Sequence, residues 1–436
     1  MVRIILGWSS KPAGRLVRPA GFAIGVAISL LAAAPAQAAT AMTATAQIES
    51  AGPDWFADGQ GKAATALIDL LQTSSLDGLD PKSFRIDPLA KAVGKAWGGD
   101  PARIAKADAL LDKALVAYVT ALRSRPNSEW IINDPDAVPA VPAASALLAK
   151  AAAAPSLEQW IGEMRFMHPS YAGLRNALAG AIDEKSKALL QVNLDRARLL
   201  PADGRFILVN AAAQRLYAYE DGKAVDEMRV VVGKPINPTP MLAAMIRYSA
   251  VNPYWNVPSD LAAERIAPHV VKEGVGYLRH MGYVVLSDWG ENATPVDPAT
   301  IDWQAVADGK VQIRVRQNPG PSNSMGRMKF MFPNPQGVYL HDTPDKQLLN
   351  EAARLFSGGC VRLEDAPRLA KWMYGKPLKT VGKDPEQRID LPDPIPVYIA
   401  YLTAVPDGSQ IVYYDDIYGR DQARMAALGA GRIAAR

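Results

Sequence analysis

Apolar and polar positions change their rhythm partway along this chain, and the change divides it. Between residues 39 and about 200 the apolar residues recur at helical spacing. Residues 63–71 and 104–122 are amphipathic and free of Gly and Pro, 145–154 is alanine-rich, and 174–200 alternates at helical period. Turns rich in Asp, Pro and Gly, at 77–81 and 134–139, separate them. From Arg205 the period shortens. Residues 205–209, 214–219 and 225–232 read as strands, and Asp221-Gly222 between two alternating runs signals a hairpin. Residues 245–252 form a further strand. Residues 255–317 interrupt this pattern with helical and loop sequence, including 261–271 and 297–307.

Further along, residues 337–341 read as a strand. Thr343-Pro344 then opens a helix carrying Leu348, Leu349, Ala352, Leu355 and Phe356, which Ser357-Gly358-Gly359 breaks. A second helix is expected from Val361, with Leu363, Ala366, Leu369, Ala370 and Met373 on one face. The tail holds a Pro-rich segment at 391–396, an apolar run at 397–405, and a turn at 406–408 before a strand-like 410–414.

Composition alters this picture at the N-terminus. Residues 1–38 carry Arg3, Lys11, Arg15 and Arg18 and no acid, then an apolar run, then Ala36-Gln37-Ala38, which has the form of a secretory signal peptide cleaved after Ala38. The formal net charge of +4 falls to about zero once those four cations are removed, so the basic balance gives no support for nucleic-acid binding. No later stretch approaches the ~20 apolar residues of a membrane span. An apolar content of 49% suffices for real cores.

Chemistry gathers around one residue. Cys360 is the only cysteine in 436 residues, and His341, one of four histidines, lies upstream of it. A thiol is a strong nucleophile as thiolate, and an imidazole is its usual base. The glycine turn, placed before the helix expected at Val361, would offer free N–H groups and a positive helix end to a thiolate and to an oxyanion. Tyr339 shares the strand face of His341. His269 and His280 lack metal-ligand spacing, and no metal or cofactor is expected. There is no SxxK, KTG, GxSxG or P-loop.

The run His341 … Ser357-Gly358-Gly359-Cys360-Val361-Arg362 resembles the His … Ser-x-Gly-Cys-(Ile/Val)-Arg signature of the L,D-transpeptidases, peptidoglycan cross-linking enzymes of the YkuD-type fold. The stretches 252–258, 329–334 and 339–344 are similar to the large periplasmic YcbB-like subgroup. The resemblance implies an α+β protein: a signal peptide at 1–38, a helical scaffold at 39–200, a mainly β YkuD-like catalytic domain at 201–375 with a capping subdomain inserted at about 255–317, and a C-terminal segment at 376–436 completing the fold. That subgroup usually carries a peptidoglycan-binding module after the stretch matching 168–179; here 180–200 follows at once and leaves no room for it. The resemblance further implies a periplasmic location, Cys360 as nucleophile and His341 as base, with backbone N–H groups around Gly358, Gly359 and Cys360 for the oxyanion. On the residues alone, Ser357 would order the glycine turn or His341, Tyr339 would position the imidazole or the substrate, and Arg362 and Trp255 would contact substrate; support of the loop for Ser357 and Arg362, and a place in the core for Trp255, are the alternatives. Peptidoglycan stem peptides are the implied partners and carbapenems the implied inhibitors. A 3-3 link at meso-diaminopimelate is the expected product; a 1-3 link is compatible with the stereochemistry. An L,D-carboxypeptidase using the same pair of residues, and a non-catalytic wall-binding scaffold, are the alternatives.

Overall fold

The computed structural model describes residues 52–124, 129–379 and 383–434; the expected signal peptide lies outside them. The N-terminal part is helical. Helices α1 (Lys62–Gln72), α2 (Ile86–Ala96), α3 (Pro101–Arg123), α4 (Ala144–Ala152), α5 (Leu157–Gly162), α6 (Pro169–Gly180) and α7 (Glu184–Ala197) bury a shared core that includes Leu67, Leu111, Tyr118, Tyr171 and Leu194. Asp100 accepts from the Arg103 N–H with Pro101 at the first helical position, a start signal visible in the sequence.

The β part is a sheet that closes on itself. In chain order its strands are β1 (Arg205–Asn210), β2 (Arg215–Glu220), β3 (Lys223–Gly233), β4 (Leu242–Val251), β5 (Met328–Met331), β6 (Leu340–His341), β7 (Val361–Leu363) and β8 (Gln387–Ala400). Strands β1, β2 and β3 form an antiparallel meander, β3 pairs with β7, β7 runs parallel to β6, and β6 pairs with β5. Strand β5 pairs with β4, β4 with β8, and β8 runs parallel to β1, which completes the ring. Asp221 and Gly222 both take positive φ, 46° and 77°, as a two-residue hairpin loop demands. Pro392 and Pro394 fall where β8 loses register between Asp390 and Ile395, because proline cannot donate to a ladder. The ring and the elements packed on it share a core that includes Phe206, Val230, Phe330, Leu340, Val361 and Val397.

Between β4 and β5 the chain builds a separate small body. Strands Trp255–Val257, Tyr283–Leu286 and Arg314–Gln317 make a three-stranded sheet, and short helices pack on it around Trp255, Val257, Ile266, Trp303 and Val315. Residues 262–266 form a π-helical turn just before Pro268, whose missing N–H denies residue 264 its usual α-helical partner. No helix among the described residues is long and apolar enough to cross a membrane.

Two expected helices are corrected. After Thr343-Pro344 only Lys346–Asn350 is helical, as a 3-10 turn, and Leu355–Ser357 is a strand running parallel to the end of β3. Val361 opens strand β7 rather than a helix; the helix, α8 (Ala366–Tyr374), begins after Asp365, whose side chain accepts from the Arg368 N–H. The apolar spacing from Leu363 to Met373 continues smoothly across this boundary. The local signal that separates the two is the Asp365-x-Pro367 start, and the pairing of β7 with β3 and β6 decides the rest.

Candidate active site

Parallel pairing sets Leu340 against Val361 and His341 against Arg362, with the Val361 N–H donating to the Tyr339 carbonyl at 2.9 Å. Residues 339 and 341 on one strand and 360 and 362 on its neighbour therefore share a face. That face lines a cavity of about 400 Å³ beneath the small inserted body. Tyr339, His341, Ser357, Gly358, Cys360 and Arg362 come to it from the barrel side, and Trp255, Leu261 and Arg265 from above. Gly359 is not in the lining.

His341 is buried. Its Nδ1 lies 2.6 Å from the Asp342 carbonyl oxygen. A carbonyl only accepts, so Nδ1 carries the proton and Nε2 is left as the basic nitrogen. Burial, reinforced by the positive charge of Arg362, pushes the imidazole down to about 3, so the ring is neutral throughout the ordinary pH range. Burial also pushes the Cys360 thiol up, against the Tyr339 N–H and Arg362, which favour the thiolate. The resting pair is neutral thiol and neutral imidazole. The thiol donates to the Gly337 carbonyl at 3.6 Å, and among the described residues no hydrogen bond joins it to His341. Because Cys360 lies between two strands, the helix dipole expected to favour its thiolate is absent from this turn.

The turn is held from inside. Ser357 Oγ donates to the Cys360 carbonyl at 2.5 Å and accepts from the Gly359 N–H at 3.1 Å. The Gly359 amide is therefore engaged, whereas the Gly358 and Cys360 amides have no protein acceptor among the described residues. Gly359 sits at φ +117°, where only glycine is unstrained, and a Cβ on Gly358 would meet Leu261 at 3.2 Å. Arg362 is not a free cation: its Nη1 lies 3.0 Å from Asp345. Asp342 accepts from the Arg327 N–H and pairs with Lys346, which makes it a loop anchor.

Two contributors were missed from sequence. Arg265 lines the cavity from the π-helical turn and donates to the Phe356 carbonyl at 3.3 Å. Thr239 is fully buried behind the turn; its Oγ1 accepts from the Gly233 N–H at 2.9 Å and donates to the Gly359 carbonyl at 2.8 Å. Only the Pro238-Thr239-Pro240 setting, which fixes the backbone on both sides, marks it locally. Among the described residues no group of His, Cys, Asp and Glu could hold a metal ion.

Comparison with known proteins adds the family. Residues 204–399 match the YkuD model, described as the L,D-transpeptidase catalytic domain, and residues 49–178 match a model described as a scaffold domain. A Haemophilus influenzae protein provisionally named an L,D-transpeptidase is 34% identical over 240 residues; the match takes in 53% of this chain and 48% of that relative, about half its length. Among solved structures, an L,D-transpeptidase from Mycobacterium smegmatis is 18% identical at a TM-score of 0.23, covering 44% of this chain and 58% of that one. The catalytic domain of the E. faecium L,D-transpeptidase acylated by ertapenem is 17% identical at a TM-score of 0.22, covering 45% and 97%. The matched segment spans the whole strand ring described above, from β1 to β8, and in that segment the chain carries a YkuD-type L,D-transpeptidase catalytic domain.

Proposed function

We propose that this protein is a peptidoglycan L,D-transpeptidase whose nucleophile is Cys360 and whose base is His341. One observation carries the reading: Cys360, His341 and Gly358 line one cavity, with Nε2 the basic nitrogen of the imidazole and the Gly358 and Cys360 amides unengaged among the described residues. Substrate entry draws the thiol from the Gly337 carbonyl toward Nε2 of His341. Sγ attacks a carbonyl on an L-centre while its proton passes to Nε2. The oxyanion is held by the Gly358 and Cys360 amides. Collapse expels the amine of a D-residue, which takes the proton back from Nε2, and leaves a thioester. An acceptor amine then loses its proton to His341 and attacks; the departing sulfur recovers that proton. A base already neutral and a thiol held protonated suit this cycle, since charge develops only as the carbonyl is attacked.

A stem peptide is rich in carboxylates, and Arg265, which donates only to the neutral Phe356 carbonyl among its described contacts, gives the cavity a cation to receive one. The inserted body shields the thioester from water until the acceptor arrives. The product is a 3-3 link at meso-diaminopimelate, formed in the periplasm after signal cleavage. Purified protein incubated with disaccharide-tetrapeptides tests this: cross-linked dimers, absent with Cys360→Ala, together with a carbapenem adduct on Cys360, are expected. Tripeptide monomers alone would make it a carboxypeptidase, and unchanged behaviour of the Cys360→Ala protein would end the enzymatic reading.

A further inference from the structure

A second cavity, of about 460 Å³, lies where the helical part meets the barrel. It falls in the size range of small-ligand sites. Val138, Pro139, Pro142, Trp160 and Phe166 give it apolar walls, and Arg123 forms part of its lining. Arg123 closes helix α3 and points into the junction. Its Nη1 donates to the carbonyls of Arg198 at 3.0 Å and Leu200 at 3.1 Å, and its Nη2 to the carbonyl of Phe166 at 2.9 Å.

Those acceptors are neutral. Among the described residues no carboxylate pairs with Arg123. The other deep guanidiniums in this region do have one: Arg175 lies against Asp77, Arg196 against Glu129 and Asp421, and Arg198 against Asp195. At the rim, Lys150 is paired with Asp203 and Arg165 with Glu163. Asp203 and Asp136 also line the cavity, but they pair with Lys150 and Arg247, and Asp203 acts on Arg123 only as a longer-range attraction, so Arg123 has no carboxylate of its own in contact where buried charge is ordinarily compensated. Three of its five N–H groups are used, which leaves two for an incoming anion.

We propose that this cavity is a second ligand site, in which Arg123 takes the single carboxylate of a small peptide while the apolar walls hold the adjoining residue. A lone guanidinium suits a monoanionic, planar carboxylate better than a phosphate dianion, which calls for more than one cation. The choice of an L,D-dipeptide as probe rests on the proposed transpeptidase reading; the carboxylate site itself does not.

The test titrates full-length Cys360→Ala protein with N-acetyl-L-alanyl-D-alanine, which carries one carboxylate, by calorimetry, with its carboxamide and inorganic phosphate alongside. Two binding events are expected, one at each cavity. Arg123→Gln should remove one of them. Because that change also strips three carbonyls of their donor and can impair folding, Ala146→Trp provides a second route: Ala146 is exposed on helix α4 and lines the cavity, so the indole fills it without removing an existing contact. At the Ala146-dependent site the carboxamide should bind at least tenfold more weakly than the acid. An isotherm unchanged by Ala146→Trp, equal binding of the carboxamide there, or displacement of the dipeptide from it by equimolar phosphate would each overturn the proposal. Carbapenem acylation of Ala146→Trp with Cys360 intact is expected at the unmodified rate. Absence of acylation even in the unmodified protein would sink the transpeptidase reading and leave the Arg123 site standing.

Discussion

Thr239→Val is the most direct probe of how the cysteine turn is held. Valine matches threonine in shape, so the substitution deletes one hydroxyl and opens no cavity. That hydroxyl bridges the Gly233 N–H and the Gly359 carbonyl, both buried. Without it two polar groups lose their partner in a dry setting, at about 1–3 kcal/mol each, or about 2–6 kcal/mol together. If the whole molecule bears the loss, urea unfolding followed by tryptophan fluorescence shifts by that amount. If only the turn bears it, through local opening, global stability holds, and acylation of Cys360 by a carbapenem, timed by mass spectrometry, slows by about tenfold for each 1.4 kcal/mol. Thr239→Ser keeps the hydroxyl and should stay near the parent in both assays. A Thr239→Val protein that unfolds within about 0.5 kcal/mol of the parent and acylates at the parent rate would refute the bridging role.

Gly359→Ala forces a side chain onto φ +117° and should cost about 1–3 kcal/mol, with loss of acylation; a folded, fully reactive variant would show that the turn adapts. His168 is pushed down to about 3 by burial, with Arg123 adding to the effect. Between that value and 6.5 the unfolded chain binds a proton that the folded chain does not, so stability falls as pH is lowered through this window. His168→Asn keeps an acceptor for the Ser170 N–H and should flatten the stability–pH slope there by about 1.4 kcal/mol per pH unit; an unaltered slope would mean that His168 does not resist protonation. Arg265→Gln should raise KM for a tetrapeptide on the order of tenfold with kcat nearly unchanged, whereas equal loss in both would assign Arg265 to the turn rather than to substrate.

Some of this molecule was readable in advance because its signals are local. The Asp221-Gly222 hairpin needs only two residues tolerant of positive φ, and Asp100-Pro101 announces helix α3 by itself. The cysteine turn was readable as a break, and its flanks were not. Leu355–Ser357 and Val361–Leu363 are only three residues each, too short for alternation to show, and they are strands because β3 and β6 lie alongside. The thiol and imidazole, paired as nucleophile and base by the sequence, line a single cavity, but among the described residues no hydrogen bond joins them, and the helix dipole expected at the sulfur is absent. Thr239 and Arg265 eluded sequence reading for the same reason. Thr239 meets Gly359 across 120 positions and Arg265 meets Phe356 across 91, and nothing near either residue signals the encounter.

Strand β8 is made late and used early in space: Val397 sits beside Ile207 and Ala244, some 190 and 150 positions before it. A chain synthesised or threaded from its N-terminus holds β1 and β4 apart, each with a bare ladder, until nearly its last fifty residues emerge. Loop-closure entropy delays that final stitch further. Truncation before Gln387 would leave two open edges ready to pair with a neighbouring chain, so losing β8 threatens aggregation more than a modest loss of stability.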